Sequence, residues 1–477
     1  MSTSLALDFE RARAAIRAGA RPVWRGRVHQ VSGVIVEAAG VPAAMGELCR
    51  IERGPLGSVD AEVVGFRGAT TLLMPHGNLE GIAPRQTVLA LGRPFSIRTG
   101  PELLGRVLDG FGAPMDRGAR LASTMPLARV RNEAPPPLER TPIDRPLATG
   151  VRAIDATCML GRGQRLGIFS GSGVGKSTLL GQVTRGTDAD VLVVALVGER
   201  GREVRAFLDE VLDERTRART VTVVATSERS PIERFLAPFV AVTVAESFRE
   251  AGLDVLFVMD SVTRFAGAAR EIGLAAGEPP TVRGYPPSFF ATVPKLVERL
   301  GRSARGSITG LLTVLLDADD PNEPVADTLR GLLDGHLYLS RELAQRGHYP
   351  AIDVLASLSR LMSSIASERH RALAQELREA LAQWREGRDL VEIGAYKPGT
   401  NERLDRALAL VPGIETFLRQ GVSERSGLNE TLARLEALFA QPGAAARPAI
   451  KPPAQRSAAP KAPAARLSGG RLAGDKQ

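Results

Sequence analysis

GIFSGSGVGKST, Gly167 to Thr178, is the stretch that decides the fold. An apolar strand end runs into a glycine-rich turn and then into Gly175-Lys176-Ser177-Thr178. Phosphate groups need several backbone N–H donors aimed at one centre, and only small residues let a chain curl that tightly. Gly171, Gly173 and Gly175 supply the curl, with Ser170, Ser172 and Val174 between and before them. Lys176 supplies a cation for the β- and γ-phosphates, and the Ser177 hydroxyl is placed to hold Mg²⁺. The helix that starts here, with Thr178 in its first turn, adds its positive dipole end. The usual pattern, G-x-x-x-x-G-K-[ST], has a glycine where this chain has Ser170. Serine is small, so the exchange costs little if its φ is negative. A glycine-rich turn alone is a weak signal; with Lys-Ser, a preceding strand and a following helix it is strong.

Two carboxylates belong with the loop. DVLFVMDSVTRFA, from Asp254, is a run of apolar residues ending in Asp260. In an open parallel sheet ligands collect at the carboxyl ends of strands, which is where a carboxylate can hold magnesium through water. VVALVGERGREV, from Val193, ends its strand at Gly198 and Glu199. Strand, loop, helix and strand again put Glu199 on the same sheet edge, where it can orient a water for in-line attack on a γ-phosphoryl group. Arg200 and Glu203 read as local support. In HYPAIDVLASLSR, Tyr349 is an aromatic able to stack an adenine ring, and Arg360 is a finger candidate for neutralising the transferring phosphoryl group. Spacing alone places neither at the site.

The pattern outward from the loop is alternating. Strand candidates are Arg165–Phe169, Val191–Val197, Thr220–Ala225, Val255–Met259 and Ile308–Leu315. Helix-length segments such as Lys176–Thr184, Arg202–Glu214 and Ile232–Glu250 separate them. This predicts an α/β fold with a mostly parallel sheet covered on both faces, over about residues 100–363. Before it, short β-branched runs with glycine turns and no helices predict a small β-barrel at 22–99. A short helix precedes the barrel, within 1–21. After Ser363 the strands stop, and helical periodicity predicts a helical C-terminal domain at 364–440. Residues 441–477 are an Ala/Pro-rich basic tail that cannot bury enough apolar surface to fold and is expected to be disordered.

Composition sets outer bounds. The 477 residues are 44% hydrophobic and 24% charged, ordinary for a soluble globular chain. The net charge is +9, but the tail's seven cations against Asp475 account for +6, leaving +3 for residues 1–440. The high basicity therefore does not argue for a nucleic-acid-binding body. Only two cysteines, Cys49 and Cys158, occur, which fits a reducing cytosol. The five histidines show no metal-ligand spacing. No signal peptide and no apolar run of membrane-spanning length is found.

Seven ordered motifs carry a resemblance. SGSGVGKST, GERGREV, LFVMDSVTRFA, AAGEPPTVRGYPPSFFATVPKLVER, DDPNEPVAD, LLDGHLYLSRELA and YPAIDVLASLSR together resemble the type III secretion ATPases. These are the export ATPases of flagella and injectisomes, similar to the catalytic subunits of rotary ATP synthases. The likeness runs from about Arg25 to Ala440, and there the position of Ser170 is commonly a small residue other than glycine. The resemblance implies a RecA-like ATPase core between the barrel and the helical domain. It implies that Lys176 and Ser177 bind phosphate and magnesium, that Glu199 activates water, and that Asp260 is the second strand carboxylate. Arg200 and Arg264 match the arginines near the phosphates, Tyr349 the adenine-stacking tyrosine, and Arg360 the finger reaching into a neighbour's site.

The implied assembly is a cytoplasmic homohexameric ring, peripherally associated with the inner membrane. Its implied partners are a central stalk protein, a negative regulator or stator protein, chaperone–substrate complexes and the export gate. DDPNEPVAD and DVLASLSR lean toward the injectisome. A non-catalytic ring subunit would lack the water-activating glutamate, whereas this chain has Glu199 and Arg360 together. An ATP synthase β-like subunit is disfavoured by VRGYPPSFF and DDPNEPVAD. A ring-shaped RNA translocase would need stacking aromatics in 22–99, and the chain is only 4% aromatic; no nucleic-acid partner is expected.

Overall fold

Six short strands close into a barrel: β1 (Arg25–Ser32), β2 (Ile35–Ala39), β3 (Glu47–Glu52), β4 (Ser58–Arg67), β5 (Thr70–Pro75) and β6 (Thr87–Pro94). Their order is β1-β2-β5-β4-β3-β6, and β1 pairs with β6 to remove both sheet edges. Alternation turns Val28, Val36, Ile51, Val63, Leu73 and Val88 inward, where they fill the barrel. The computed structural model describes residues 24–316, 320 and 323–440, and also Arg13. The tail, the N-terminal helix apart from Arg13, and much of the DDPNEP motif lie outside the described residues.

A joint follows, holding β7 (Ser96–Arg98), β8 (Val107–Asp109), β9 (Leu127–Arg129), β10 (Pro146–Leu147) and β11 (Leu160–Gly161). It is tied to the core by Arg299, one half of a buried ion pair. Arg299, 1% exposed, donates from Nε and Nη2 to Glu246 and from Nη1 to the carbonyl of Val130. Bidentate geometry with the remaining donors satisfied is what makes such a buried pair tolerable.

The core strands are β12 (Arg165–Ser170), β13 (Val191–Val197), β14 (Thr220–Ala225), β15 (Asp254–Asp260), β16 (Gly301–Arg302), β17 (Ser307–Leu315), β18 (Gly335–Leu339) and β19 (Leu358–Ser359). The sheet order is β19-β18-β12-β17-β15-β13-β14-β8. The pairings from β18 to β8 are parallel, while β19 runs antiparallel to β18. Parallel strands covered on both faces must be apolar throughout; every residue of β13, VLVVALV, is buried. One face carries the long helix Pro231–Glu250 with Val262–Ala275 and Pro287–Val297; the other carries Lys176–Gly186 and the C-terminal helices.

Four strands of this sheet, β8, β18 and the two-residue β16 and β19, were not among the sequence candidates. β8 is three residues long and comes from the joint. β18, GHLYL, alternates buried and half-buried residues rather than forming an apolar run. The expected helix Arg202–Glu214 is also broken. Gly201–Ala206 passes into a wide π turn at Phe207–Val211, and Asp213 then starts a new helix, Glu214–Ala218, by accepting a hydrogen bond from the Thr216 amide at 2.8 Å.

Three helices, Glu368–Glu392, Glu402–Leu418 and Leu428–Ala440, form the C-terminal region. Arg152, 3% exposed, anchors them to the core. Its amide and side chain bond Gln420 Oε1, the carbonyls of Phe417 and Arg419, and the Glu424 carboxylate.

Candidate phosphate-binding site

The strand–turn–helix of the loop is built as its residues require. β12 ends at Ser170, fully buried, with its carbonyl accepting from the Leu316 amide at 2.9 Å. The left-handed conformations fall at Gly173 (φ 77°) and Gly175 (φ 96°), and Ser170 is not among the positive-φ residues. The motif's departure from glycine thus falls where no glycine is needed. Helix Lys176–Gly186 starts directly on Gly175, leaving its first amides free to face an anion.

Lys176 reaches across to the ends of two other strands. Its ammonium is ion-paired with Asp260 Oδ1 and lies 3.5 Å from Glu199 Oε1. Asp260 terminates β15 and is buried; Glu199 follows β13 by two residues and is half-buried. All three strands run parallel, so their carboxyl ends meet on one edge of the sheet. Burial pushes the Glu199 carboxyl up to about 7, with help from the Asp260 charge and against the opposing pull of Lys176. Burial alone would pull Lys176 down, but Asp260 and Glu199 outweigh it and hold it above its ordinary value. At neutral pH the site therefore combines a firm cation with a carboxyl poised to gain or lose a proton.

Beside these groups lies a cleft of about 350 Å³ lined by Ser177, Thr178, Glu199, Glu203, Phe207 and Asp260, among others. Ser177 and Asp260 offer only hard oxygen donors, which fits Mg²⁺ bound through a hydroxyl, a carboxylate and retained waters.

The other sequence candidates separate into two groups. Tyr349 and Arg264 are brought in by tertiary contacts. The Tyr349 ring packs over Gly175, where an added side chain would sit 3.4 Å from ring carbon Cε1. The Tyr349 carbonyl accepts from the Gln420 amide, and the adjacent Gly421 and Val422 carbonyls accept from Gln182 and Arg185 of the phosphate-loop helix. The Arg264 stem lies against Gly198 (φ 70°), so tightly that a Cβ on that glycine would be 2.7 Å from the arginine's own. Arg200 caps helix Gly201–Ala206 and stays exposed, 3.8 Å from Glu203.

Arg360 is not brought in. It follows β19, and β19 is antiparallel to β18, with Ser359 opposite Gly335 at the start of that strand. Arg360 therefore stands at the opposite end of the sheet from this chain's own phosphate loop. It is exposed, its amide donating to the Asp334 carbonyl and its guanidinium only 3.5 Å from the Arg330 carbonyl.

One site residue escaped the sequence reading. Thr313, on β17, donates its hydroxyl to Asp260 Oδ1 at 2.7 Å and is fully buried. Its signal was a lone threonine inside the apolar run LLTVLL.

Comparison with known proteins places the chain in a family. A family model of the nucleotide-binding domain of the ATP synthase alpha/beta family matches residues 150–359. A second, of the type III secretion EscN ATPase C-terminal domain, matches residues 366–437. The type 3 secretion system ATPase of Xanthomonas euvesicatoria is 48% identical over 90% of this chain and 97% of its own length. The flagellum-specific ATP synthase of Bacillus subtilis (strain 168) is 46% identical over 87% of this chain and 94% of its own. Among solved structures, the assembled ATPase EscN in complex with its central stalk EscO, from enteropathogenic E. coli, superposes with a TM-score of 0.80. It is 41% identical and covers 87% of this chain and 99% of EscN.

Proposed function

The chain belongs to the family of type III secretion and flagellar export ATPases, and from that premise we propose that it works as a homohexameric ring whose sites are shared between neighbours. The observation that carries this reading is the division of one constellation between two sheet ends. Lys176, Glu199 and Asp260 converge at one end, and Arg360 projects from the other. Within a closed ring of identical subunits, the two ends meet across each interface.

In this reading the loop amides and Lys176 hold the β- and γ-phosphates, and Tyr349 stacks the adenine. Ser177 and Asp260 would hold Mg²⁺, which when bound neutralises charge on the phosphate oxygens. Glu199 orients the attacking water and must be ionised to do so. Arg200 and Arg264 stand near the phosphates. Arg360 of the next subunit stabilises charge on the transferring phosphoryl group, a role worth about 10³–10⁵ in rate where such fingers act.

The ring serves protein export by releasing chaperones and unfolding substrates, which dock on the C-terminal helices. A central stalk protein occupies its pore, EscN being known in complex with such a stalk, EscO, and a regulator or stator protein restrains it. Among the described residues no helix is long and apolar enough to cross a membrane; we place the ring in the cytoplasm against the inner-membrane export gate. The injectisome is the favoured system, and flagellar hook and basal-body genes beside this one would overturn that choice.

The test is specific activity against protein concentration, with assembly followed by sedimentation. A shared site turns on as rings form. Constant specific activity through a demonstrated monomer-to-ring transition would contradict it.

A further inference from the structure

Asp260 carries two donors on one oxygen. Oδ1 accepts from Lys176 Nζ and from the Thr313 hydroxyl. The two donors differ in kind. Lys176 sits at a helix start beside the cleft, on a long flexible stem, and also faces Glu199. Thr313 lies inside β17, the strand between β12 and β15, level with Ile168 of the strand that ends in the phosphate loop. Its neighbours in the chain, Leu312 and Val314, are buried apolar residues. A hydroxyl in such surroundings is tolerated only with a partner. Branching at Cβ restricts χ1, and a side chain with no exposed surface, already hydrogen-bonded, has little room to turn, so the donor is in place before any ligand arrives.

We propose that Thr313 is a positioning residue for phosphoryl transfer, its hydroxyl holding Asp260 in one orientation when Lys176 leaves that carboxylate for phosphate oxygens. This rests on the reading of Lys176 and Asp260 given above. On that reading the lysine has two successive partners, and Asp260 loses its ion pair at the moment its orientation matters. The threonine bond stays. It keeps one acceptor position of Oδ1 filled and so restrains the carboxylate from turning, and it does so from the core rather than from a side chain that must move. Placement by packed, pre-satisfied groups is the form of support that phosphoryl transfer requires, because the protein contributes positioning more than covalent chemistry.

Thr313→Val keeps the shape and removes the donor. It is expected to lower kcat about tenfold, a typical cost for losing fixed orientation at a reacting centre. In a fluorescence titration it should bind a fluorescent ADP normally without Mg²⁺ and lose the tightening that Mg²⁺ confers. Thr313→Ser, which keeps the hydroxyl, should recover turnover to within about threefold of the parent. In an Asp260→Asn background Thr313→Val should add nothing, since coupled residues are non-additive. Parent-like kcat in Thr313→Val, a Thr313→Ser variant as impaired as the valine, or full additivity with Asp260→Asn would each overturn the proposal. Should Thr313→Val not fold, the contrast of Thr313→Ser with Thr313→Ala carries the same test. Asp260→Asn alone separates the two levels. If it keeps parental turnover, the site reading falls and this proposal with it; if it is inactive while Thr313→Val is normal, only the role of Thr313 falls.

Discussion

The two ends of the central sheet differ in how far one chain completes them. At the carboxyl end, a lysine, two carboxylates and a threonine from four neighbouring strands and their loops already touch. Each is held by a partner, and the carboxylates are wholly or partly withdrawn from water. At the other end Arg360 stands exposed just past an edge strand, its guanidinium 3.5 Å from the Arg330 carbonyl and its charge close to the similarly cationic Arg330 and the His336 ring. A cation left in water contributes little electrostatically until it is desolvated against an opposite charge. The first end is pre-organised by folding; in the reading proposed above, the second is organised by assembly. A chain that carries both can keep hydrolysis low while alone and raise it on forming a ring.

The largest effect expected on this contrast comes from the finished end. Lys176→Ala should lower kcat by at least about 10²–10³, the scale of losing one fixed charge-stabilising group, with the melting temperature close to that of the parent. Normal turnover would remove the phosphate assignment. Glu199→Gln comes next, at about 10²-fold in kcat, with nucleotide affinity within a few-fold by equilibrium titration. Loss of affinity instead would make Glu199 a structural residue.

The same carboxyl sets a pH dependence. Its value of about 7 lies above the ordinary 4.5, and in the proposed mechanism the ionised form is the one that orients water. For the parent enzyme kcat/KM, which reports the free enzyme, should therefore fall as pH drops below about 7. A profile flat down to pH 5.5 would contradict this. The smallest effect is expected at Ser170→Gly. Among the described residues the hydroxyl has no hydrogen-bond partner, and the backbone needs no left-handed freedom. The change should cost about 0.5–1 kcal/mol of stability through backbone entropy and leave turnover within about twofold. A gain in activity would mean that the serine restrains the loop.

Legibility in the sequence followed the range of the forces involved. The phosphate loop is local: strand, glycines and Lys-Ser lie within one dozen residues, and their conformations follow from their own sterics. Glu199 and Asp260 were readable because parallel topology gathers strand ends without needing packing detail. The barrel showed through its glycine turns and β-branched runs. Tyr349 and Thr313 were not placeable, because the ring's seat on Gly175 depends on the loop around Gln420, and the hydroxyl's partner lies 53 positions away. β8 was hidden for a related reason: three residues of the joint become strand only because β14 offers them an edge. The continuous helix expected from Arg202 failed on local chemistry that periodicity does not see, the Asp213 cap that restarts the chain.

The central claim is that the two sheet ends complete one another between subunits. Subunits carrying Arg360→Ala and subunits carrying Lys176→Ala, each nearly inactive alone, should be mixed at equal ratio and their assembly into joint rings verified by differential labelling. Random placement pairs an intact loop with an intact neighbouring finger at about a quarter of interfaces, so about a quarter of parental ATPase activity is expected if sites act independently. Joint rings with no recovery at any mixing ratio would contradict the account.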